Sequence, residues 1–143
     1  MAVKAGERNV PDTPQNRQLD AAWYARELAV YTLKICANKN VFLQEHESAV
    51  TEKIRELAIG IYMDVQDANN IRVEGRQREQ LWAEREKLQR RAIRKCKKLM
   101  AMIGLARGLF HLKGKRVNYW SEQVKTARDY IAKWWQGDCK RYS

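Results

Sequence analysis

Through most of the chain, apolar residues recur three and four positions apart, the repeat that lines one side of an α-helix. The repeat is most regular in Val117, Trp120, Val124, Ala127, Ile131 and Trp134, which approach a heptad. Val50, Ile54, Leu57, Ile61 and Val65 form a second seam. A third comprises Leu81, Leu88, Ala92, Cys96, Leu99, Ile103, Ala106 and Phe110. At about 100° per residue these eight fall within a wedge of roughly 80°, narrow enough to face a single core. A looser pattern, Leu19, Ala22, Trp23, Ala29, Val30, Leu33 and Cys36, is interrupted by Arg26 and Glu27. With 7 Gly and 2 Pro in 143 residues, and good helix formers abundant, little competes with helix. The expected class is all-α, and the length suits one domain.

Residues 1–17, with Gly6, Pro11 and Pro14 and no apolar period, read as a flexible N-terminal arm, leaving 18–143 for the bundle. Helix one is expected over about Gln18 to Ala37, and helix two from Glu45 or Ser48 to Asn69 and Asn70. Helix three is expected over about Glu74 to Phe110. Helix four should start near Asn118 and stop at Gly137, leaving Asp138 to Ser143 as a polar tail. Four amphipathic helices with short connections predict an antiparallel, up-down four-helix bundle.

Lys and Arg number 28 against 17 Asp and Glu, a formal net charge of +11, so a polyanion would relieve the chain's self-repulsion. A membrane is the weaker partner: no apolar run approaches the roughly 20 residues needed to cross a bilayer, and each amphipathic face can be buried by its neighbours. The cations concentrate in helix three. Lys87, Arg90, Arg91, Arg94, Lys95, Lys97 and Lys98 fall on its flank and back, away from the apolar wedge. A charge run is usually a solvated face, but such faces mix Glu with Lys so that i, i+4 neighbours attract. Here the pairs 87/91, 90/94, 91/95 and 94/98 are all of like sign, which favours phosphate contact over a passive surface. The basic turn Lys113, Lys115 and Arg116 either extends that surface or is merely solvated. Nothing resembles a helix-turn-helix, a zinc finger or an RNA-recognition strand motif, so binding would be to backbone or shape.

Arg85 falls among the apolar residues; it reads either as a paired buried arginine or as a contact at a bundle end or between subunits. Of five tryptophans, Trp120 and Trp134 lie on the seam of helix four, whereas Trp135 steps off it, covered by another helix or free for a partner. Cys36, Cys96 and Cys139 are odd in number and widely spaced. Without a recognisable secretory leader they suggest a reducing cytoplasm and no disulfide framework. His46 and His111 have no metal-ligand spacing, and glycine-rich phosphate loops and nucleophile elbows are missing, so no enzyme, metal or cofactor is expected.

The order of elements, the basic third helix, the stretch Asn118-Tyr119-Trp120-Ser121-Glu122-Gln123-Val124, Trp134, and Asp138-Cys139-Lys140-Arg141-Tyr142 together resemble a known family. This is the accessory variability determinant (Avd) proteins of diversity-generating retroelements. They belong to a wider four-helix-bundle group that includes proteins encoded in ribosomal-RNA intervening sequences. The resemblance covers about Gln18 to Tyr142. It implies a homopentameric barrel that binds template RNA, and DNA as well, and associates with the element's reverse transcriptase during mutagenic retrohoming. Catalysis would lie with the polymerase. Arg85, Trp135, Arg141 and Tyr142 are the candidate partner-facing residues. The competing expectation is a structural oligomerisation scaffold of the intervening-sequence type, in which the charge only confers solubility.

Overall fold

The computed structural model describes residues 10–143, so most of the expected arm, residues 1–9, lies outside the described part. Four helices account for nearly all of it: α1 (Pro14–Cys36), α2 (Glu52–Asn69), α3 (Arg78–Leu109) and α4 (Gly114–Tyr142). Two short helical turns, Gln44–His46 and Glu47–Thr51, lead into α2, and the described residues contain no strand. α1 packs on α2 and α4, and α3 packs on the same two helices. All four therefore enclose one core, with α1 and α3 at opposite corners.

α1 starts earlier than its apolar period indicates. Pro14 occupies the first turn, where its missing N–H costs nothing, and the Thr13 hydroxyl accepts the backbone N–H of Asn16 at 3.1 Å. Residues 14–17, expected in the arm, are helical. The buried face of α1 is also rotated from expectation: Ala21, Ala25, Leu28, Thr32 and Ile35 fill the core, while Leu19, Trp23 and Leu33 are exposed. Small alanines bring the helix close to its neighbours, and Thr32 is admitted because its hydroxyl accepts the indole N–H of Trp120 at 3.0 Å.

In α2 and the turn that leads into it, Val50, Ile54, Ile61 and Val65 are buried as expected, joined by Ala58 and Ala68, while Leu57 is half-buried. α3 follows its expected seam from Ala92 to Phe110, but not before. There the core positions are Trp82, Arg85 and Gln89, in place of Leu81 and Leu88. The true seam, 82, 85, 89, 92, 96, 99, 103, 106 and 110, alternates strictly by three and four. Two of its members are polar, which hid the register.

α4 does not stop at Gly137. It continues to Tyr142, and Asp138 occupies the next seam position after Trp134, almost fully buried. Gly137 serves close approach instead: a Cβ there would collide with the Arg17 guanidinium from the first turn of α1. With Asp138 ion-paired in the core, continuing the helix costs less than exposing it.

Candidate nucleic-acid interface

The cations of α3 divide into two groups by what faces them. Asp64 of α2 is 4 % exposed and takes both Arg91 and Lys95. Arg91 reaches it through Nε at 3.1 Å and Nη2 at 2.8 Å, and Lys95 Nζ lies 2.9 Å from Oδ2. The bond to Asp64 also raises the pKa of Arg91 above its ordinary value. Arg91 and Lys95 thus fasten α3 to α2, with their side chains still 43 % and 26 % exposed. On the wheel they lie on the flank next to α2, and only tertiary structure places a buried carboxylate there.

Lys87, Arg90, Arg94, Lys97 and Lys98 are exposed, and no carboxylate forms an ion pair with them among the described residues. Lys87, Arg90, Arg94 and Lys97 follow one another at steps of three and four along the outward side of α3, and Lys98 sits beside them toward α2. With a rise of about 1.5 Å per residue the row is about 15 Å long, the scale of a few successive phosphates of one strand. Lys87, Arg90 and Arg94, with Ala83 and Glu86, line a shallow hollow of about 230 Å³. Glu86 is turned to α4, where it accepts the Trp135 indole N–H at 3.1 Å and lies 3.7 Å from Cys139 Sγ. Burial first, and Glu86 second, raises the pKa of Cys139.

Lys113 precedes α4, while Lys115 and Arg116 lie in its first turn; all three are exposed and no acidic residue shares that turn. Cations at this end oppose the helix dipole. From Lys97 to the end of α3 is about 18 Å at about 1.5 Å per residue, with exposed Arg107 in between.

Arg85 is a paired buried arginine, which settles its alternatives within the chain and removes it from the exposed partner-facing set. Asp138 Oδ2 accepts Arg85 Nε at 2.9 Å and Gln89 Nε2 at 2.8 Å, with Arg85 Nη2 also 2.8 Å away. Arg85 Nη1 donates to the Ile71 carbonyl at 3.0 Å, and the guanidinium lies 5.2 Å from the Trp134 ring centre. Trp135 is half-buried against α3 through Glu86, and Tyr142 packs on Trp82 with ring centres 5.5 Å apart. Of the expected partner-facing residues, Arg141 alone is exposed, its guanidinium 5.0 Å from the Tyr142 ring centre.

Asp64 and Asp138, which decide which cations are free, escaped the sequence reading. A signal for Asp138 was present: it continues the α4 seam by four from Trp134, opposite a seam arginine on α3. Asp64, next to Val65, carried no comparable sign. No group of three metal-ligating side chains occurs among the described residues, and no described helix is long and apolar enough to cross a membrane.

Fold and surface define a four-helix protein with a cationic face on one corner helix. Compared with known proteins, the chain matches no family model, no curated sequence and no solved structure.

Proposed function

We propose that this protein is a non-catalytic accessory that binds nucleic acid through the outward side of α3. The observation that carries this reading is the row Lys87, Arg90, Arg94 and Lys97 with Lys98, exposed and without carboxylate partners among the described residues. Lys and Arg displace counterions condensed on phosphates, so affinity is high at low salt and falls steeply as salt rises. The row presents charge but no arrangement for reading base edges, so recognition is of backbone.

The C-terminal residues 118–142 supply the more particular part of the reading, an accessory to a retroelement reverse transcriptase that also engages its template RNA in the cytoplasm. That part rests on the resemblance to Avd proteins alone. The four-residue connection Phe110–Lys113 between α3 and α4 supports an up-down course. A pentamer would repeat the basic row around an axis and raise avidity without any single strong site. Exposed Ile59 and Met63 on α2, and Leu105 and Leu109 on α3, favour the second reading, an assembly scaffold without a nucleic-acid role.

Filter binding of a single-stranded RNA at two salt concentrations separates the readings: strong retention at low salt and little at high salt is expected, and weak, salt-independent retention rejects nucleic-acid binding. Native mass measurement gives the subunit number, and co-purification with the reverse transcriptase tests the partner.

A further inference from the structure

Where the cationic row of α3 ends, the surface turns apolar. Between α2 and α3 lies an open groove of about 710 Å³, lined by Lys53, Glu56 and Leu57 from α2 and Lys98, Met102 and Leu105 from α3. Its volume falls in the range of about 300–1,000 Å³ usual for small-molecule sites. Lys98 belongs to both features: it ends the row that Lys87, Arg90, Arg94 and Lys97 begin, and Met102 and Leu105 follow it at steps of four and three on the same side of the helix. Leu105 is 54 % exposed, and Leu57 and Met102 are half-buried. Lys53 and Lys98, one on each helix, are exposed and form no ion pair among the described residues, whereas Lys95, also at the groove, is held by Asp64. Glu56 is the one carboxylate of the lining and stands on the α2 side, three residues from Lys53, so the pull on an anion is strongest at Lys98. The groove therefore suits a flat apolar body with an anionic group beside it.

We infer that this groove receives an unpaired nucleobase of the strand bound along α3, so that the protein prefers single-stranded nucleic acid to duplex. The inference rests on the nucleic-acid reading above and adds to it the state of the strand. A backbone whose phosphates follow the row reaches Lys98, and its next base then stands over Met102 and Leu105. The Met102 thioether packs favourably on an aromatic ring, and Leu57 and Leu105 keep water from the ring faces. Apart from the three lysines and Glu56 the lining carries no polar side chain, so the groove meets the face of a base and not its edges, and sequence matters little. In a duplex the base is paired and stacked and has to be flipped out first. Charge alone would choose the other way, because a duplex presents more phosphate charge per length than a single strand. A preference for the single strand therefore reports the groove and not the row. An acidic amphipathic helix of a partner protein would meet the same lysines, but the continuity of row and groove through Lys98 favours a strand, which places a phosphate and a base together at each step.

The test compares a thymidine oligonucleotide with an abasic strand of the same length, which keeps every phosphate and removes every base. At low salt both should bind, the thymidine strand at least about tenfold tighter, and the two should share one salt slope because they share their phosphates. Annealing the thymidine strand to its complement should weaken its binding. In protein labelled at the methionine methyls, the thymidine strand should shift the Met102 resonance and the abasic strand should leave it in place. Met102→Ala with Leu105→Gln should remove the tenfold advantage and keep the salt slope, whereas Arg90→Gln with Arg94→Gln should flatten the slope and keep the advantage. Equal affinity for the two strands, or an advantage that survives the groove variant, overturns the inference and leaves the nucleic-acid reading standing; failure of both strands to bind at low salt overturns both. A Met102 methyl shifted by an acidic helical peptide but by no strand, or an oligomer that dissociates on the groove changes, also overturns the inference, since a partner protein or a second copy would then occupy the groove.

Discussion

Asp138 gathers three donors from two α3 side chains in a place water scarcely reaches, and Arg85 in turn ties the segment before α3 through the Ile71 carbonyl. Removing one member of such a pair leaves the other charged and desolvated. Asp138→Ala should therefore cost about 3–5 kcal/mol in urea denaturation, whereas Arg85→Met with Asp138→Leu, which removes both charges, should recover most of it. A loss equal in the single and the double variant would show that packing, not charge pairing, dominates the site. The same logic applies to the Trp120–Thr32 bond across the core. Thr32→Val keeps the shape but strands a buried N–H and should cost about 1–3 kcal/mol.

α3 is one helix with two electrostatic sides, and the distinction can be measured. Changing Lys87, Arg90, Arg94 and Lys97 to Gln should flatten the salt dependence of single-stranded RNA binding by about three in log–log slope, at about 0.7 for each phosphate no longer neutralised, with stability nearly unchanged. Changing Arg91 and Lys95 to Gln should do the reverse: stability falls because Asp64 is left buried without its partners, and RNA affinity changes little. Asp64→Asn releases both cations, so it should weaken the fold yet strengthen RNA binding at low salt. If all three variants bind RNA alike, α3 is not the interface.

For the whole molecule, the buried thiols report integrity. Cys36 and Cys96 lie in the core, where burial pushes both up to about 12. At pH 8 they should resist alkylation in the folded protein and react readily once it unfolds, so labelling rates follow global opening. Their pKa values are raised on folding, so the unfolded chain loses these protons first. Stability is therefore unaffected by them below the ordinary thiol value of 9.0 and declines as pH rises from there toward about 12. Rapid labelling of both thiols at pH 8 under native conditions would show a core far looser than this one.

The helical class, the number of helices and the seams of α2 and α4 were legible in residue order, because periodicity is a local property that each segment carries by itself. Legibility thinned where a seam admitted polar residues: Arg85 fell among the apolar positions of its helix, but Gln89, Thr32 and Asp138 were not recognised as core. Arg85, Gln89, Thr32 and Asp138 belong to the core only because a neighbouring helix supplies the bonds that offset their desolvation. The cationic stretch of α3 was likewise plain from sequence, but its division into cations that hold α2 and cations that face outward was not. That division depends on Asp64, 27 residues from Arg91 along the chain and 2.8 Å from it in space. Charge content is written residue by residue, whereas the freedom of a charge to meet a partner is fixed only when the helices pack.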